Sequence, residues 1–181
     1  GARVSILDKN INRLRELDDR FAGTVQTIYS TDLALEEAVI HADLVIGAVL
    51  IPGKKAPKLI SNALVAKMKP GSILVDIAID QGGCFEDSHP TTHAEPTFKV
   101  HNSIFYCVAN MPGAFPRTST FALTNATLPY LLALADLGWK QACVKDSALL
   151  AGLSTHDGKL LSEQVGASLD LPFTNVDDLF K

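Results

Sequence analysis

Five short apolar runs, each closing on a polar, glycine or proline-rich turn, constrain this chain most: Val4–Leu7, Val25–Tyr29, Leu44–Val49, Ile73–Ile77 and Ile104–Val108. Between most of them the apolar residues recur with a helical period. Ile11, Leu14 and Leu17 share one face opposite charges, Leu33, Leu35, Ala38 and Val39 form a second set, and Leu59, Ile60, Leu64 and Val65 a third. Three of the runs are apolar almost throughout, as strands must be when helices cover both faces of a parallel sheet. Strands alternating with helices in this way predict an α/β fold with a doubly wound parallel sheet.

The rhythm breaks twice. Cys84–Ser103 is rich in His, Thr, Pro, Asp and Glu without a clear period, and predicts an irregular connection over the sheet edge. After Pro116 one long helical period runs from Thr118 to Asp136, interrupted by Pro129. The remainder reads as short helices joined by glycine-containing turns, with no strand signal. A boundary is therefore expected near Pro116 and Arg117, with an α/β unit over 1–116 and a helical unit over 117–181.

Composition narrows the function classes. A hydrophobic content of 47% over 181 residues supports a core. The net charge is −4 and no Lys/Arg run exceeds the Lys54-Lys55 pair, so neither nucleic acid nor an anionic membrane is a favoured partner. The apolar stretches fall short of the roughly 20 residues that span a bilayer, and a soluble, cytosolic protein is expected. Cys84, Cys107 and Cys143 are odd in number and far apart, which fits reduced packing residues better than disulfides. His89 and His93 stand four apart, but the intervening proline and threonines oppose a helix and no third metal ligand is evident.

Several positions can carry chemistry. Asp8 ends the first strand, where a carboxylate can accept hydrogen bonds from a ribose; it can equally cap the helix that follows. LVIGAVLIPGKKAP, Leu44–Pro57, runs a buried strand into a Gly/Pro turn, so the backbone at Val49 and Leu50 is a place for an adenosine, or an ordinary turn. In LVDIAIDQGGCFE, Leu74–Glu86, a strand leads to Asp80 just before Gly82-Gly83. A carboxylate there can orient an amine or move a proton, or can serve its own turn. Asp76 in the same segment reads as structural. In VANMPGAFPRTST, Val108–Thr120, Asn110 can hold a carboxamide or a substrate, while Thr118 or Ser119 suits a helix cap.

The runs GARVSILDKNINRLRELD, ADLVIGAVLIPGKKAPKLI, GSILVDIAIDQGGCFE, PTTHAEPTF and FYCVANMPGAFPRTSTFALTNATLPY, in that order, resemble the C-terminal half of the alanine dehydrogenases, within the alanine dehydrogenase/pyridine nucleotide transhydrogenase family. DIAIDQGG and VANMPGAFPRTST carry the resemblance most specifically. It implies reversible NAD-dependent oxidative deamination of L-alanine to pyruvate and ammonium, in a homohexamer. It implies Asp8, Arg13, Ser30, Val49 and Leu50 as cofactor contacts on the adenosine side. Ile77, Ala78, Ile79 and Asp80 fall on the nicotinamide side, with Val108, Ala109, Asn110 and Met111 on a loop closing over it. Asp80 matches the carboxylate with an acid/base role. The residues after the cofactor domain would return to the substrate domain. The family's first strand, its glycine-rich pyrophosphate loop, its substrate-binding arginine and lysine and its catalytic histidine would all precede Gly1. The chain is accordingly expected to be a partial one, a Rossmann-type sheet lacking its first strand. The alternatives are the nucleotide-binding subunit of a proton-translocating transhydrogenase, which shares this architecture, and a non-catalytic nucleotide-binding or oligomerisation fragment.

Overall fold

A computed structural model describes residues 1–49, 51 and 55–180. The chain divides into two compact units, Gly1–Val49 with Pro57–Ala109, and Leu50–Ala56 with Asn110–Lys181.

In the first unit, strands β1 (Ser5–Asp8) and β2 (Gln26–Tyr29) pair in parallel, with helix α1 (Ile11–Phe21) as their crossover. The Asn10 side chain caps α1 by accepting the Arg13 N–H, and Leu14 is its buried anchor. Helix α2 (Asp32–His41) is capped by Thr31 and leads to β3 (Leu44–Gly47). A second sheet has the order β3-β4-β6-β5, built from β3, β4 (Ile73–Asp76), β6 (Ser103–Tyr106) and β5 (Thr97–Val100). Its first three strands run parallel, and β5 joins antiparallel at the edge. The α/β, parallel-dominated fold anticipated from the alternating runs is the one observed. Among the described residues β1 pairs only with β2 and β3 only with β4, so each has one unpaired edge; Leu44 and Ile46 of β3 are exposed.

The core of this unit lies on the larger sheet. Leu74, Phe85, Phe105, Cys84, Cys107, Val65 and Val108 are buried almost completely, and Phe105 meets Phe85 edge-on at 5.8 Å between ring centres. Burying a side chain of this size stabilises by about 1.5–3 kcal/mol.

Two sequence expectations change here. The third helical pattern forms only one turn, α3 (Asn62–Val65), capped by Ser61; Leu59 and Ile60 instead lie extended, with Ile60 bridging Phe85 in parallel. The stretch Cys84–Ser103 is not wholly irregular, because β5 closes a hairpin with β6 through the two-residue turn His101-Asn102, where His101 adopts φ +52°. Four residues after Pro96 are too few to display a period, and pairing with β6 decides the strand.

The second unit is mainly helical but not strand-free. Helix α4 spans Pro116–Lys145, containing Pro129 and a non-helical break at Gly138, and is followed by α5 (Ser147–Ala151) and α6 (Glu163–Leu169). Between these last two, β7 (Thr155–His156) and β8 (Lys159–Leu160) form a small hairpin. Its Asp157-Gly158 turn has positive φ at both residues, the requirement that makes Asp-Gly a hairpin signal. His156 sits in β7 with its ring 4.3 Å from that of Trp139. Neither Thr118 nor Ser119 caps α4: the helix starts at Pro116 with no side-chain cap, and the Ser119 hydroxyl donates to the Pro112 carbonyl. Among the described residues no helix is long and apolar enough to cross a membrane.

The turn after β4 depends on glycine for two separate reasons. Gly82 has φ +89° with open space around its α-carbon, whereas Gly83 has φ +72° and a β-carbon there would stand 2.7 Å from the Asp76 carboxylate and from Ser88 Cβ. Gly82→Ala is therefore expected to lower stability by about 1 kcal/mol through backbone strain alone. Gly83→Ala should cost clearly more, about 2–4 kcal/mol, because overpacking adds to strain. Denaturant unfolding of the two variants checks the ranking.

Candidate active site at the strand ends

Apart from Arg13, the described residues of the first unit singled out from the sequence stand at, or just beyond, the carboxyl ends of parallel strands, where ligands of open α/β sheets bind. They form groups that the structure shows separately.

The first group lies on the β1–β2 pair. Asp8 closes β1, and its Oδ1 accepts the Asn10 N–H at 2.8 Å. The helix cap itself is Asn10, so Asp8 is the support of the cap and not the cap. Among the described residues its second oxygen has no partner, which leaves acceptor capacity of the kind a ribose diol requires. Ser30 follows β2, and its backbone N–H donates to the Asp8 carbonyl at 3.0 Å, which locks the two strand ends side by side. Arg13 lies on the exposed face of α1, where Nη1 meets Glu16 Oε2 at 3.0 Å, an exposed pair worth little for stability.

The second group surrounds the end of β4. Asp76 is fully buried and collects the backbone N–H groups of Ala78 (3.1 Å), Cys84 (2.8 Å) and Phe85 (3.3 Å) and the Ser88 hydroxyl. Such a carboxylate acts as an internal template, since each N–H it accepts would otherwise be buried without a partner. Its bonds shape the 3₁₀ turn Ile77–Gln81 and the glycine pair after it. Ala78 and Ile79 are buried in the turn, while Ile77 and Asp80 face outward. The turn chemistry that Asp80 could have served is supplied by Asp76. Asp80 is left exposed, and among the described residues its carboxylate makes no hydrogen bond.

The neighbouring strand ends close on this turn. Gly47, the last residue of β3, has no room for a side chain: a β-carbon would overlap Cys84 Sγ and lie 2.8 Å from the Phe85 ring. The Val49 backbone reaches the Cys84 sulfur, and Cys107, after β6, faces Asp76 and Ser88. Val108 is buried and bridges Thr91, with Ala109 exposed beyond it. Ile77–Asp80 thus follow directly on the buried carboxylate, Val49 reaches Cys84 beside it, and Val108 follows Cys107, which faces it. Leu50 and Lys54 lie outside the described residues. Asn110 and Met111 belong to the second unit, where the Asn110 side chain accepts the Gly113 N–H at the head of the short turn Met111–Ala114.

Two features of this region escaped the sequence reading. Gln81 Oε1 is buried without a hydrogen-bond partner among the described residues. Lys58 bends its ammonium onto the carbonyls of Gly82 at 2.7 Å and Phe85 at 2.8 Å. Both depend on how the chain returns to the turn, and no local pattern signals that.

A family model described as "Alanine dehydrogenase/PNT, C-terminal domain" matches residues 1–163. The chain belongs to this family. It is 71% identical over 97% of its length to an alanine dehydrogenase of Mycolicibacterium smegmatis, and 64% identical over 96% to one of Mycobacterium tuberculosis. In each case it covers 47% of that protein, so it spans about half the length of these relatives. A solved structure of an L-alanine dehydrogenase superposes with a TM-score of 0.82 at 46% identity, over 94% of this chain and 47% of that one. A Sinorhizobium meliloti transhydrogenase structure, at TM-score 0.63 and 24% identity over 77% of this chain and 39% of that one, shares the fold alone.

All three cysteines are free and buried. Burial, reinforced by the Asp76 carboxylate, pushes the Cys84 thiol from an ordinary value of 9.0 up to about 12. The folded state therefore keeps a proton that the unfolded chain gives up first. The associated stability is fully present below about pH 9 and is lost as pH rises towards about 12. Native protein at pH 8 should leave Cys84 unmodified by a thiol-specific alkylating reagent while denatured protein reacts, as read by peptide mass spectrometry.

Proposed function

We propose that the protein carrying this chain oxidises L-alanine with NAD, reversibly, and that this chain supplies the cofactor-binding side of the active site. The balanced reaction is L-alanine, NAD+ and water giving pyruvate, ammonium, NADH and a proton. The observation that supports it most is Asp80, an exposed carboxylate held at a strand end by a turn whose internal hydrogen bonds are met by Asp76.

The residues present fit a nicotinamide dinucleotide. Asp8 keeps one carboxylate oxygen for the adenosine ribose, and its charge disfavours the additional phosphate of NADP. Ser30, beside it, and Arg13 would add polar contacts, and the backbone at Val49 would border the adenosine. Ile77–Asp80 would lie along the nicotinamide, with Val108, Ala109, Asn110 and Met111 covering it. A bound NAD would supply the hydride acceptor for the alanine carbon that bears the deprotonated amine, an oxidation that gives the protonated imine of pyruvate.

Asp80 then performs the proton chemistry. Its carboxylate removes a proton from the water that attacks the imine carbon, forming the carbinolamine. It returns that proton to the nitrogen and takes up the hydroxyl proton as the carbon–nitrogen bond breaks, so the ketone and ammonia are released and that second proton leaves with the ammonia as ammonium. An exposed side chain suits the task, because a general base must reach a water and a substrate that both exchange with solvent.

The alanine carboxylate needs a cation, and the pyrophosphate needs a glycine-rich turn at a helix start. We assign both to the part of the relatives' length that this chain does not span, together with a strand that pairs the open edges of β1 and β3. The helical second unit is read as part of the substrate domain, and the assembly as a cytoplasmic homohexamer. The high identity to alanine dehydrogenases favours this reading over a transhydrogenase subunit, to which the likeness reaches only the fold.

In the intact enzyme, Asp80→Asn should lower kcat for alanine oxidation by at least about 100-fold with little change in the KM for NAD. Asp8→Ala should raise that KM on the order of tenfold to a hundredfold and narrow the preference over NADP. NADH absorbance reports both, and parental kinetics in both variants would remove the assignment.

A further inference from the structure

The turn that presents Asp80 is held from two sides by opposite charges. From the interior, Asp76 takes the N–H groups of Ala78, Cys84 and Phe85. From outside, Lys58 gives two N–H donors of its ammonium to the carbonyls of Gly82 and Phe85. Phe85 is gripped at both ends of its backbone, its N–H by the carboxylate and its carbonyl by the ammonium. Gly82 is the more telling contact, because it lies two residues from Asp80 and its own N–H closes the 3₁₀ turn on Ile79.

The rest of the segment does not restrain Gly82 in this way. Just after Lys58, the Leu59 N–H donates to the Cys84 carbonyl at 2.7 Å and the Glu86 N–H to the Ile60 carbonyl at 2.8 Å, so Cys84 and Glu86 are fixed by backbone pairing. That pairing also delivers the Lys58 stem to the turn. Between Asp80 and Cys84 the chain passes through two glycines with positive φ, the most permissive backbone in the segment. A cation at the carboxyl end of the turn satisfies a carbonyl left over there and meets the negative end of its dipole. Lys58 is itself exposed as a residue, so it contributes no core packing that would explain such placement.

We infer that Lys58 is a positioning residue for the reaction: by holding the Gly82 and Phe85 carbonyls it fixes where the Asp80 carboxylate stands, without touching substrate. The inference rests on Asp80 having the acid/base role proposed above. A carboxylate displaced by about an ångström from its working geometry loses on the order of 100-fold in rate, so a loosened glycine turn acts on kcat before it acts on cofactor binding.

The test uses the intact enzyme and the variants Lys58→Met, Lys58→Arg and Asp80→Asn, with the Lys58→Met/Asp80→Asn pair. Lys58→Met is expected to lower kcat on the order of tenfold to a hundredfold while the KM for NAD stays within about twofold, and Lys58→Arg, which keeps the cationic donors, to recover most of the loss. When Asp80→Asn is already present, the same Lys58→Met change is expected to have no further effect on kcat, because the carboxylate it positions is gone. If Lys58→Met folds poorly, Lys58→Gln, which keeps an amide donor, takes its place in the same cycle. Parental kcat in Lys58→Met, or an undiminished effect on top of Asp80→Asn, would overturn the positioning role. Full activity in Asp80→Asn itself would instead overturn the reading of Asp80, so the two failures are told apart.

Discussion

The buried Asp76 carboxylate is the interaction on which the site region depends. A fully buried carboxylate is tolerated only when donors surround it, and here the donors are the backbone of the segment that must be shaped. Each N–H left without this acceptor would cost about 1–3 kcal/mol. The carboxylate therefore selects one path for residues 77–88 among the many that two adjacent glycines permit. Because the path is fixed from within, Asp80 does not spend its side chain on the turn and remains open to solvent.

The same carboxylate explains the packing around it. Gly47 must lack a side chain so that Cys84 and Phe85 can close over the end of β3, and Gly83 must lack one so that Asp76 and Ser88 can meet. Phe85 then reaches Phe105 in the core of the larger sheet. Structure and site are joined at one residue, and Cys84, beside it, is kept as an inert thiol by burial and by the nearby negative charge.

The two carboxylates of DIAIDQGG illustrate a division of labour between neighbouring acids. Asp76 and Asp80 are four residues apart with opposite environments, one buried and saturated with donors, the other exposed with no partner among the described residues. Asp8 shows a milder form of it, giving one oxygen to the Asn10 N–H and keeping the other. Lys58 adds the counterpart on the carbonyl side of the turn, so that both kinds of backbone group near the glycines are bound by a charge.

The strands of the first unit other than β5, and most of its helices, were legible in the amino-acid order alone, because nearly continuous apolar runs and helical periods follow directly from burial on a sheet and on a helix face. Asp8 and Asp80 were likewise legible as acids at strand ends, and the motifs around them carried the family. Whether those acids were caps or site residues stayed open, since local chemistry is the same in both cases. The folded chain gives the helix cap to Asn10 and the turn bonds to Asp76. Folding alone also settles β5, whose four residues gain strand form by pairing with β6, the single turn of α3, and the reach of Lys58 to Gly82 across 24 residues of chain. These are consequences of contacts between segments distant in sequence, and no local period or propensity records them.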